Sequence, residues 1–167
     1  WKRGVWLVIL LGAASLTAQV LNWLEPSDDR NWMVLFIPLV LASGGNAGSQ
    51  SATLVIRAMA LDETRGKVRE IAWREFRLGA LMGLILAILA FAVAMALVDF
   101  DRSSVVAATV FLVVALGTVA GSMLPLGLDR LGMDPALMSN PLIAAISDIT
   151  GVVIYYNAAR LVLGAVT

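Results

Sequence analysis

The chain has 167 residues, 60% of them hydrophobic and 14% charged, with 12 basic and 12 acidic side chains and a mean hydropathy of +0.88. Soluble domains carry nearer a quarter charged residues, so this composition belongs to a membrane protein, and a zero net charge without a basic stripe excludes nucleic acid as a partner. Cysteine and histidine are both absent, which excludes disulfides, thiolate or imidazole metal sites and histidine acid–base chemistry; a bound metal must be a hard, oxygen-liking cation.

Five apolar runs follow one another, each near the roughly 20 residues that cross about 30 Å of hydrocarbon. The first covers residues 5–23 and is broken by Glu25-Pro26-Ser27-Asp28-Asp29-Arg30. The second, 32–61, is long and contains Pro38 and the small-residue cluster Ser43-Gly44-Gly45-Asn46-Ala47-Gly48. A charged connector, 62–77, precedes the third run at 78–98; it is read as a topology anchor, although Val68, Ile71, Trp73 and Phe76 also suit an amphipathic surface helix. The fourth run is 104–128, with Pro125 near its end. The fifth is 141–167, and Asn140-Pro141 before it reads as an N-cap followed by a first-turn proline. The expected fold class is therefore all-α, a polytopic membrane protein with five transmembrane helices. The chain opens on Trp1 instead of Met, so we expect a piece of a longer protein.

Basic residues choose the orientation. Lys2, Arg3, Arg57, Arg65, Lys67, Arg69, Arg74, Arg77 and Arg130 fall on one side, and Arg30, Arg102 and Arg160 on the other. By the positive-inside rule the N-terminus is cytoplasmic and the C-terminus outside. The opposite turns carry Glu25, Asp28, Asp29, Asp99 and Asp101, which suit turns and could also concentrate cations at an entrance.

Asp148 is the acid that stands out, because it lies well inside the last apolar run. A charge there costs at least roughly 2.5–3.5 kcal/mol on insertion scales, and such residues mark ion pathways by default. Asn140, Ala144 and Asp148 are spaced i, i+4, i+8 and share one helical face. At about 1.5 Å per residue the acid lies roughly 12 Å in from the amide. The bland alternative is a protonated acid, or one paired with Arg57 or Arg160. In the second run, Pro38 and Gly44-Gly45 weaken a helix, and Asn46, Ser49, Gln50, Ser51 and Thr53 follow closely. A bent or opened helix there would turn carbonyl oxygens toward a cavity. Gly79/Gly83 and Gly117/Gly121 are GxxxG pairs, which more often mean close helix packing; Gly44/Gly48 is a third, set apart because Asn46 and Gln50 interrupt the same segment.

One acid with amide and carbonyl oxygens cannot form a dry cage. Mg²⁺ does not need one, since it keeps several waters and binds through one or two carboxylates. A second copy of the chain would bring a second Asp148, so two carboxylates would match one divalent charge across a two-fold axis. Without the ion those carboxylates would repel. No nucleophile–base pair or phosphate loop is visible, so the chain is not read as an enzyme. A coupled carrier driven by Na⁺ or H⁺ is the alternative transporter.

At these residues the chain resembles the membrane domain of the MgtE family of bacterial magnesium channels. The resemblance rests on Gly44-Gly45-Asn46-x-Gly48-x-Gln50, on Asp134-Pro135-Ala136 through Asn140-Pro141, and on Ser147-Asp148-x-Thr150-Gly151. It covers essentially residues 1–167, read as one transmembrane ion-conducting domain. It implies an inner-membrane homodimer with the pore on the two-fold axis, lined by the second and fifth runs. Asp148 would be the main selectivity residue for hydrated Mg²⁺, with Asn140 and the backbone near Ala144 helping. Carbonyls around Ala42 and Gly45 and the side chain of Asn46 would complete the wall, and Mn²⁺, Co²⁺ or Ca²⁺ would bind elsewhere. Ala42 stands where many members have glycine, and the family's N-terminal cytoplasmic regulatory domains are absent from this chain.

Overall fold

A computed structural model of the chain describes residues 31–64 and 66–164. The first apolar run, with Lys2, Arg3, Arg30 and Arg65, lies outside them. Among the described residues all regular structure is helical: α1 (Asn31–Ala60), α2 (Val68–Met95), α3 (Phe100–Arg130) and α4 (Pro135–Val162). All four are long and apolar enough to cross a membrane. At 28 to 31 residues each, they exceed the hydrocarbon thickness and must tilt or protrude.

Three boundaries differ from the sequence expectation. The connector at 62–77 is mostly helix, because α2 starts at Val68 and runs through the charged stretch without a break. Arg69, Glu70 and Arg74 are good helix formers, and charge alone does not stop a helix. The helix after Asp99 begins at Phe100, capped by an Asp99 Oδ1 that accepts from the Arg102 N–H at 2.9 Å. The last helix begins at Pro135, not Pro141. Asp134 is its cap, accepting from the Ala136 N–H at 2.9 Å, and Pro135 occupies the first turn. Asn140 is thus an interior helical residue, because the Asp134-Pro135 pair offers the same start signal six residues earlier.

α3 is the central element. It packs on α1, α2 and α4, and more than half of its most apolar stretch is buried, against little over a quarter in each of the others. α1 also packs on α4. The glycine pairs explain how closely these helices approach. A Cβ on Gly117 would stand 2.6 Å from the Gly44 carbonyl oxygen, and one on Gly48 would stand 2.9 Å from the Gly117 oxygen. A Cβ on Gly121 would collide with the Gly48 carbonyl. The GxxxG pairs of α1 and α3 therefore interlock backbone to backbone, as small residues allow in membranes. Gly79 and Gly83 do the same for α2, against Thr118, Ala115 and Phe111 of α3.

One end of the bundle is closed by aromatics. Trp32 meets Tyr155 edge to face at 6.0 Å, and the Arg102 guanidinium lies 5.7 Å over the indole. A smaller cluster of Val55, Ile71 and Leu126 closes the other end. On α2, Leu81, Leu84, Ile85, Ile88 and Leu89 point outward and are more than half exposed, the composition expected of a lipid-facing surface.

Candidate ion site

The antiparallel register of α1 and α4 sets the depth of each candidate residue. Gly48 abuts Ile143, and Gly151 abuts Leu41 and Val40. Seven or eight residues along one helix thus match eight along the other. By that register Asp148 lies at the depth of Ser43, Ala144 at that of Ala47, and Asn140 at that of Ser51.

On α4 the buried row is Ser139, Ile143, Ser147 and Gly151. The row one residue round the helix is Asn140, Ala144 and Asp148, as its spacing predicts. Asn140 and Ala144 are exposed and Asp148 is half-buried. Among the described residues, Asp148 makes no hydrogen bond and no ion pair, and it is paired with neither Arg57 nor Arg160. Gly151 and Tyr155, which the spacing puts near the same stripe, are buried in the helix contacts. Among the described residues, the Tyr155 hydroxyl and the Ser139 Oγ have no hydrogen-bond partner.

On α1, Ala42, Asn46 and Gln50 form an exposed i, i+4, i+8 row. The expected opening of this helix does not occur. α1 is continuous through Pro38 and Gly44-Gly45, so the carbonyls of Ala42 and Gly45 sit in a helix whose N–H groups lie four residues on. Helical packing against Val113 and Gly117 holds the small residues in register. Gly45 itself has nothing within 4 Å of where a Cβ would stand. Ala42, Asn46 and Gln50 line a groove of about 300 Å³ with Met82 and Leu86 of α2 and Val114 of α3. No α4 residue lines it. One protomer therefore places the α1 and α4 rows at one depth without bringing them together.

A second buried acid escapes a reading by hydrophobic runs. Glu75 is 3% exposed, so Asp148 is not the only carboxylate inside an apolar helix. The Ser51 hydroxyl of α1 donates to Glu75 Oε2 at 2.6 Å, and Arg74 donates to Oε1 at 3.2 Å. Its signal is periodic: Ile71, Glu75, Gly79, Gly83 and Ala87 recur every four residues, so Glu75 sits in the row that packs on the bundle.

Residues 37–158 match the family profile described as MgtE, divalent cation transporter. The magnesium transporter MgtE of Thermus thermophilus is 40% identical over 167 aligned positions, covering 96% of this chain and 36% of that protein. The Bacillus subtilis protein of the same name is 31% identical, covering 95% of the chain and 36% of its own length. The chain thus spans about a third of the curated relatives it matches. Profile and relatives together describe transporters, not enzymes, and the four apolar helices make this a multi-pass membrane protein. The chain belongs to the MgtE family of divalent cation transporters.

Proposed function

We propose that the chain is the ion-conducting membrane domain of a magnesium channel, working as a homodimer of five-span protomers. The supporting observation is Asp148, half-buried in α4 without a protein partner among the described residues, on the same row as Asn140 and Ala144. An unneutralised acid in a membrane helix is expensive unless water or a cation reaches it. Two copies of Asp148 across a two-fold axis supply two negative charges to one hydrated Mg²⁺. Asn140 and the backbone near Ala144 hold waters of the same ion. Ala42, Gly45 and Asn46, at similar depth on α1, complete the path once a second protomer is in place. The basic ends of α1 and α2 face the cytoplasm of the inner membrane, and the C-terminus faces outward. Mn²⁺, Co²⁺ and Ca²⁺ are secondary ions.

Mg²⁺ influx into liposomes containing the 167-residue chain tests this reading. Wild type conducts, and Asp148→Asn and Asp148→Ala do not. Flux like wild type in Asp148→Ala would defeat the proposal. The carrier alternative rests on the same lone acid, which could also carry a proton. Imposed Na⁺ or H⁺ gradients at fixed voltage separate the two: a channel ignores them, and a carrier follows them.

A further inference from the structure

Glu75 has no role in the ion path above, yet it is a buried carboxylate. Packing alone does not call for one, since an apolar side chain of similar volume is as stable or more so at such positions. Its contacts give a direction. Ser43, Thr53, Thr109, Thr118 and Thr150 all return their hydroxyls to the backbone of their own helix. Ser51, itself 3% exposed, instead crosses from α1 to Glu75 on α2 through a short bond of 2.6 Å. Bonds to an ionised acceptor are roughly twice as strong as neutral ones. Arg74, with more than half of its side chain exposed, offsets the charge from the surface side at 3.2 Å.

The place of this bond matters more than its strength. Ser51 follows Gln50 directly, so it fixes the rotation of α1 at the end of the row Ala42, Asn46 and Gln50. Glu75 lies one turn past Ile71, and two to three turns before Met82 and Leu86, which form the α2 wall of the groove that this row lines. The bond therefore ties the end of that groove. We propose that Glu75 is a positioning residue for ion conduction: through Ser51 it sets the azimuth of the α1 polar row. The proposal rests on the channel reading above.

The test is Mg²⁺ flux through reconstituted full chain as wild type, Ser51→Ala, Glu75→Ala, Glu75→Gln, the Ser51→Ala/Glu75→Ala double variant and Asp148→Asn. Loss of a hydrogen bond to a charged group predicts that Ser51→Ala and Glu75→Ala each lower maximal flux about tenfold. Half-saturating Mg²⁺ stays within about twofold, because Asp148 is untouched. The double variant is no worse than Glu75→Ala, since both remove one interaction. Glu75→Gln keeps an acceptor for Ser51 and retains most of the flux. Wild-type flux in both single alanine variants, multiplying losses in the double, or losses that track the amount of folded protein would overturn the positioning role. Flux in Asp148→Asn equal to wild type would instead overturn the channel reading, so the two failures are distinct.

Discussion

Of the five carboxylates within the described helices, Glu75 and Asp148 alone are withdrawn from solvent, and they stand in opposite circumstances. Glu75 is almost fully buried and has both oxygens engaged, one by Ser51 and one by Arg74. Asp148 is half-buried and has no partner among the described residues. A satisfied acid contributes to holding helices in place, and its oxygens are not free for an ion. An unsatisfied acid keeps its oxygens for water or a cation. The lesson is that depth in an apolar helix does not by itself point to an ion site; the reading proposed for Asp148 rests on depth combined with the lack of a protein partner among the described residues.

The strongest way to break this comparison is Asp148→Ala. If the acid is the ion contact, Mg²⁺ flux is abolished while the detergent-solubilised protein melts where the wild type does, because no protein bond is lost. Melting lowered by several degrees with flux retained would show that Asp148 is structural and that the two acids are alike.

Next comes the close contact between α1 and α3. Gly121→Ala places a methyl group against the Gly48 carbonyl, which neither backbone can avoid. Overpacking of this kind costs about 1–3 kcal/mol, so thermal melting in detergent falls and flux falls with it. Gly45→Ala meets nothing within 4 Å and gains about 0.5–1 kcal/mol of helix preference. It should melt no lower than wild type. A large flux loss in Gly45→Ala at undiminished stability would show that the ion path needs the bare backbone there.

A smaller effect separates the amide from the acid. Asn140→Ala removes a neutral, exposed group on the row of Asp148. A neutral hydrogen bond contributes about 1 kcal/mol, so half-saturating Mg²⁺ should rise about fivefold, less than the effect of removing the aspartate. An equal or larger loss would make the amide the primary contact.

Much of this arrangement was legible in the residues. Four of the five expected spans correspond to α1–α4, since runs of twenty apolar residues have few other uses. The Asn140, Ala144, Asp148 row follows from a period of 3.6 and is the row observed. Asp134 as the cap was hidden because Asn140-Pro141 carries the same signal as Asp134-Pro135, and local chemistry cannot rank the two. α1 does not open at Gly44-Gly45, because Gly44 and Gly48 serve close packing on Gly117 and Gly121, a partner choice that lies outside the segment. Glu75 was hidden by its neighbours: a run of charges looks like a connector unless its four-residue period is followed into Gly79 and Gly83.

The smallest effect concerns an acid outside the bundle. Asp99 caps α3 through the Arg102 N–H at 2.9 Å and approaches the Arg102 Nε at 3.4 Å, while the guanidinium stays over Trp32. Both side chains are partly exposed, so the ion pair adds little and the cap dominates. Asp99→Ala should cost about 1 kcal/mol of stability and leave flux per folded protein unchanged, because Asp99 serves a helix start. A role in drawing cations to the entrance predicts something different: flux lowered at low ionic strength, with the deficit vanishing as salt screens the field. Measuring Asp99→Ala at two salt concentrations decides between them. A salt-dependent deficit would add a third kind of acid to the comparison, one that acts at a distance instead of through contact.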